Sequence, residues 1–144
     1  MSSRLKGKAL RLLARREHSR AELTQKLSAE GTREDIQVVL DQLERSGLLS
    51  DARFAESFVS SRAARVGNAR LRHDLRAKGI ADDLIAAALP AETDSETSRA
   101  REVWLRKFGV APTDRADYAR QARFLQGRGF TVEVIRKVLK EQEE

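Results

Sequence analysis

Large apolar side chains recur along this chain in pairs one helical turn apart. Phe54 with Phe58 forms one pair, and Trp104 with Phe108 another. Leu23 with Leu27 and Leu71 with Leu75 repeat the spacing, and Phe124 with Leu125 fills the corresponding stretch farther on. Ala9, Leu10, Leu12 and Leu13 give a comparable stripe near the start. Charged and polar residues occupy the positions between, so the period is that of amphipathic helices with one buried face. Sliding the chain along itself by fifty residues (54 onto 104) also places Leu75 on Leu125, Gly79 on Gly129, Ile85 on Ile135 and Leu89 on Leu139. With small length changes, Leu23, Leu27, Gly31, Ile36 and Leu40 supply a further copy.

Each copy reads as three helices. The first carries the aromatic or aliphatic stripe and the second the leucine pair. A glycine (Gly31, Gly79 or Gly129) then ends the second helix, as a left-handed cap requires. The third helix starts near Thr32, Ala81 or Thr131 and buries Ile36, Val39 and Leu40 or their counterparts. The expected fold is all-α, a tandem array of three helix-turn-helix-like units over residues 1–49, 50–92 and 93–144. Ser19 and Glu22 form a capping box, Asp51 is expected to cap the helix of Phe54, and Thr131 that of Val134. The stretch Pro90 to Ser98 reads as a linker. Units of this size have small cores, so stacked neighbours stabilise one another, which predicts an elongated molecule open to curvature.

Composition supports helices packed by aliphatic side chains. Hydrophobic residues make up 40% and aromatics only 5%, with two prolines in 144 residues. Charged residues reach 35% and mean hydropathy is -0.55, a surface-rich chain. No apolar run approaches the ~20 residues of a membrane span. The basic, amphipathic N-terminus reads as a first helix rather than a signal peptide. Cysteine is absent, which removes disulfides, thiolate nucleophiles and Cys-based zinc sites and fits a cytoplasmic protein.

The chain offers little for catalysis. His18 and His73 are far apart and lack metal-binding context; both are expected in solvent. The pairs Glu34–Asp35 and Asp82–Asp83 suit the first turn of a helix, where the macrodipole favours negative charge. The Gly127–Gly129 stretch lacks the strand and the Lys-Ser/Thr of a phosphate loop. No nucleophile has an adjacent base, so a non-enzymatic protein without a cofactor is expected.

Charge points to an acidic partner. The formal net charge is +6, and such an excess favours nucleic acid. Helix-turn-helix readers insert their third helix into the major groove. The acids Glu34, Asp35, Asp82, Asp83 and Glu133 open those helices here and oppose a phosphate-lined groove. A helix-turn-helix transcription regulator is therefore the weaker reading. Basic residues cluster instead at Arg62, Arg65, Arg70, Arg72, Arg76 and Lys78, and at Arg4, Lys6, Lys8, Arg11, Arg15 and Arg16, with a thinner set at Arg120, Arg123 and Arg128. Tyr118 is the aromatic left over for base stacking. Contact with phosphates irrespective of sequence, or with an acidic protein surface, fits these clusters.

The run from Gly47 to Ile80 resembles the central motif of the RecX family, regulators of the RecA recombinase. Matching residues are Leu49, Asp51, Arg53, Phe54, Ala55, Phe58, Val59, Arg62, Arg70, Leu71, Leu75 and Lys78-Gly79-Ile80. Of these, Asp51, Arg53, Phe54, Phe58, Leu71, Leu75 and Gly79 read as mainly structural. Ser50 and Gly67-Asn68-Ala69 depart mildly from the family pattern. The resemblance implies a monomer that binds the RecA–DNA filament along its groove, limits filament growth or promotes disassembly, and touches single- or double-stranded DNA weakly. It implies restraint of strand exchange, ATP hydrolysis and LexA cleavage. The expected contact residues are Arg62, Arg65, Arg70, Arg72, Arg76 and Lys78 with Arg11, Arg15 and Arg16.

Overall fold

The computed structural model describes residues 2–90 and 93–142, and those residues form nine α-helices and no strand. The helices are α1 (Ser2–Arg15), α2 (Arg20–Leu27), α3 (Arg33–Arg45), α4 (Asp51–Arg62), α5 (Asn68–Ala77), α6 (Asp82–Ala88), α7 (Thr93–Lys107), α8 (Arg115–Gly127) and α9 (Val132–Glu141). They follow one another as three triplets, as the periodicity predicts. The capping box at Ser19 is complete, with the Ser19 hydroxyl accepting from the Glu22 N–H and the Glu22 carboxylate accepting from the Ser19 N–H. Thr32 and Thr131 cap α3 and α9 through their side chains.

Several local expectations are corrected. The cap of α4 is Ser50, whose hydroxyl accepts from the Arg53 N–H, while Asp51 is the first helical residue. Most of the expected linker is helix, because α7 begins at Thr93 and buries Glu96 and Thr97; Ala91 and Glu92 lie outside the described residues. In α1 the buried stripe is Leu5 and Ala9, with Leu12 and Leu13 partly covered and Leu10 exposed. The buried partner of Leu125 on α8 is Gln121 rather than Phe124. Gln121 accepts from the Trp104 indole N–H at 2.7 Å and donates to the Val110 carbonyl at 3.1 Å, which satisfies a buried amide.

Packing groups the helices into two compact units that do not follow the triplets. One comprises Met1–Phe58 with Leu75–Ala88, the other Val59–Asp74 with Leu89–Glu144. The first is built on Leu5, Ala9, Leu23, Leu27, Ile36, Val39, Leu40, Leu43 and Leu49, where α1, α2 and α3 meet. The second is built on Ala100, Val103, Trp104, Leu125, Phe130, Val134, Ile135, Val138 and Leu139, where α7, α8 and α9 meet. Tyr118, expected to be spare, packs partly against this second core.

The same joint occurs inside each unit. In the first, the Ser19 hydroxyl donates to the Lys78 carbonyl at 2.8 Å, and the Arg20 N–H at the start of α2 donates to the Asp51 carboxylate at 2.8 Å. In the second, the Gly67 N–H donates to the Arg128 carbonyl at 2.7 Å, and the Asn68 N–H at the start of α5 donates to the Glu96 carboxylate at 2.7 Å. Lys78 and Arg128 are fifty residues apart and equivalent. Each joint thus seats the start of one triplet's second helix on the glycine turn of the next triplet, with an acid from that next triplet at the helix N-terminus, where negative charge is favoured.

The glycines at these turns meet two demands. Gly79 and Gly129 have φ of +79° and +90°. Each closes a Schellman turn: the N–H groups of Ile80 and Phe130 reach the carbonyls of Leu75 and Leu125. A Cβ would also lie 2.5 Å from the Ala21 Cβ at Gly79 and 2.1 Å from the Arg70 Cβ at Gly129. Gly31 is not their equivalent. Its φ is not positive, and the nearest atoms a Cβ there would meet belong to the Leu5 side chain, at 2.7 Å. The expected left-handed cap is absent because α2 ends in a different turn, with the Ser28 and Glu30 N–H groups bonded to the carbonyls of Gln25 and Leu27.

Candidate interaction surface

The basic residues expected to make contact are divided between the units and held to different degrees. Arg11, Arg15, Arg16, Arg76 and Lys78 belong to the first unit, and Arg62, Arg65, Arg70 and Arg72 to the second. Arg11 and Arg15 are exposed on α1 and make no ion pair with the described residues. Arg16 is exposed at its tip but forks onto the Glu22 carboxylate at 3.2 and 2.9 Å. Lys78 reaches the same carboxylate at 3.5 Å, and Arg76 pairs with the exposed Asp82 at 3.1 Å.

In the second unit, Arg62 and Arg65 are exposed at the end of α4. Arg62 donates to the Ser61 hydroxyl at 3.1 Å and Arg65 to the Ser61 carbonyl at 3.2 Å. Arg70 pairs with Asp74 at 3.2 Å and reaches the Gly127 carbonyl at 3.4 Å, so it serves the joint as well as the surface. Arg72 is half-buried and has no ion pair with the described residues. Third-helix acids Glu34, Asp35, Asp82, Asp83 and Glu133 are all exposed, as the case against major-groove insertion requires.

Glu22 is the electrostatic centre of the first unit. Burial pushes its pKa up, but the Arg16 guanidinium, the Ser19 N–H and the Lys78 ammonium outweigh that and bring it down to about 2. His18, expected in solvent, is 2% exposed. Its partners assign the tautomer: Nδ1–H donates to the Arg16 carbonyl at 3.0 Å, and Nε2 accepts from the Lys26 ammonium at 3.2 Å. Burial lowers its pKa, and the Arg16 and Lys26 charges act in the same direction against the Arg16 carbonyl bond. Among the described residues no group of three His, Asp or Glu side chains is placed to hold a metal ion. No helix there is long and apolar enough to cross a membrane.

Three models of one family match in tandem: the first three-helix domain of RecX over residues 6–43, the second over 50–89 and the third over 94–139. The chain belongs to the RecX family. The regulatory protein RecX of Leptothrix cholodnii is 50% identical over 137 residues, covering 94% of this chain and 87% of that protein. That of Herminiimonas arsenicoxydans is 46% identical over 143 residues, covering 97% and 93%. The crystal structure of RecX from Lactobacillus salivarius superposes with a TM-score of 0.84 at 22% identity, over 99% of this chain and 96% of that one, a likeness of fold. The relatives are regulatory proteins by name.

The RecX motif residues have structural roles here. Phe54 and Phe58 are buried with ring centroids 5.8 Å apart, and Leu71 and Leu75 are fully buried. Asp51 and Gly79 form the first joint, and Arg53 pairs with Glu17 at 2.9 Å. Sequence reasoning passed over three residues that matter as much. Arg20 binds Asp41 at 2.8 Å, Glu44 at 2.5 Å and Gln37 at 2.6 Å, tying α2 to α3. Arg99 donates to the carbonyls of Ala63 and Val66 and to the Asn68 side chain, which closes the end of α4. Glu96 caps α5. Their partners lie 17 or more residues away, and no local signal marks them.

Proposed function

We infer that this protein is a non-enzymatic negative regulator of the RecA recombinase, acting in the cytoplasm as a monomer on the RecA–DNA filament. It binds along the filament groove, limits filament growth or promotes disassembly, and thereby restrains recombination, ATP hydrolysis and LexA cleavage. Family membership carries this reading, supported by cations at least partly in solvent that form no ion pair with a described carboxylate. Arg11, Arg15, Arg65 and Arg72 are of that kind. Arg16, Arg70, Arg76 and Lys78 have carboxylate partners that a filament would have to replace, and Arg62 completes the surface at the end of α4. Contact is with phosphates and acidic protein surface, independent of base sequence.

The decisive measurement is RecA-driven ATP hydrolysis on preformed filaments. Wild-type protein should inhibit it, and the triple variant Arg11→Ala/Arg15→Ala/Arg72→Ala should inhibit it about tenfold less potently with unchanged helicity, as expected when about three charge contacts are lost. Failure of the wild type to inhibit would sink the RecA assignment. Full inhibition by the variant would remove these residues from the contact surface.

A further inference from the structure

A pocket of about 300 Å³ in the second unit is lined by Arg65, Val103, Arg106, Lys107, Phe124 and Arg128. Four of the six are cations, and none of the four forms an ion pair with a described residue. Pockets for small ligands begin at about this size. The walls are set before any ligand arrives. Arg65 is held by the Ser61 carbonyl at 3.2 Å, Arg106 by the Ala64 carbonyl at 3.1 Å and Arg128 by the Arg65 carbonyl at 3.4 Å. Lys107 and Arg128 lie 5.3 and 5.1 Å from the Phe124 ring centre. Phe124 is fixed in turn by an edge-on contact with Phe108 at 5.4 Å.

Capping the end of α4 explains why a cation stands beside those carbonyls. It does not explain four cations converging on one cavity. Each carbonyl engages a single N–H of a guanidinium that has five, so most donors stay available. A ring face attracts a cation but does not cancel its charge. Like charges gathered without a counter-charge repel one another, and a multiply charged anion would relieve that repulsion.

We propose that this pocket is a phosphate-binding site, with Arg65, Arg106, Lys107 and Arg128 contacting the phosphate oxygens and Phe124 holding two of the cations in place. The phosphate is that of a single-stranded nucleic-acid backbone or of a free polyphosphate. Guanidinium groups suit it because they donate in pairs to adjacent oxygens. The site supplies a location for the weak DNA contact that the family resemblance implies, and to that extent rests on it. Its test contains no RecA, so failure here leaves the RecA reading standing, and loss of RecA inhibition leaves this site standing.

Fluorescein-labelled oligothymidylate and inorganic tripolyphosphate are titrated separately, across a range of salt, into the full-length protein. Wild type should bind oligothymidylate, and tripolyphosphate should compete. Arg106→Ala/Lys107→Ala/Arg128→Ala should bind about tenfold more weakly, with a log affinity against log salt slope shallower by about two. Arg106→Lys/Arg128→Lys should keep the slope. Arg33→Ala/Arg45→Ala/Arg136→Ala, which removes equal charge elsewhere, should leave affinity within about threefold. If the triple variant loses helicity, Lys107→Gln alone should still reduce the slope by about 0.7. Loss of tripolyphosphate binding with oligothymidylate unchanged would assign the site to free polyphosphate. Unchanged binding of both ligands, or no binding by wild type, would overturn the site.

Discussion

Glu22 shows how much one side chain can hold: it caps its own helix, anchors Arg16 and draws in Lys78. Its folded pKa of about 2 lies below the 4.5 of a free glutamate. The stabilisation is therefore complete above about pH 4.5 and is lost as pH falls toward 2. Half of the Arg16 side chain is in water, so we expect about 1–2 kcal/mol rather than the full value of the shift. Urea unfolding should show Glu22→Gln less stable by that amount at pH 7, with the difference vanishing near pH 2. His18 has the opposite sign. Its pKa is lowered from 6.5, so below that pH the unfolded chain takes up a proton the folded chain refuses, and stability falls. An NMR titration should place the His18 midpoint below 6.5; a midpoint above 6.5 would contradict the buried tautomer. The Ser19–Glu22 box was readable from the sequence because its parts sit three residues apart. His18 and Gln121 were not, because burial depends on Lys26, Trp104 and Val110 closing around them.

At the scale of elements, the glycine turns carry the clearest prediction. Gly129→Ala forces a side chain into a left-handed backbone and against the Arg70 Cβ, which should cost about 2–4 kcal/mol. Gly127 is the last residue of α8, and a Cβ there would meet nothing within 4 Å. Gly127→Ala should therefore be neutral or stabilising by about 0.5–1 kcal/mol. In thermal melts Gly129→Ala should lower the midpoint while Gly127→Ala leaves it unchanged or raises it; equal shifts would refute the account of the joint. Helix positions were legible because the apolar period and caps are local. The start of α7 was not. Its polar composition resembles a linker, and the Asn68 N–H that Glu96 accepts from lies 28 residues upstream, beyond any local signal.

The whole molecule balances 28 basic against 22 acidic residues, and many of the acids are engaged in ion pairs. The exposed excess is positive, so filament binding should weaken steeply with salt. If about three phosphates are contacted, the concentration needed for half-inhibition should rise about twentyfold between 50 and 200 mM salt. A salt-independent value would point to apolar docking instead. The repeated triplets were legible from self-similarity alone. Their regrouping into two packing units was not, since that depends on which backbone groups of one triplet meet the turn of the next.

Those meetings have a bearing on how such a chain ages. The two joints are made largely by main-chain N–H and carbonyl groups and by glycines, with one carboxylate each and, in the first, the Ser19 hydroxyl. Main-chain groups are the same whatever the side chain, so most substitutions nearby leave the connection intact. Genetic drift can therefore rewrite the surface and much of the interior while the coupling between neighbours persists. A RecX structure sharing only 22% of its residues keeps the same fold, with a TM-score of 0.84.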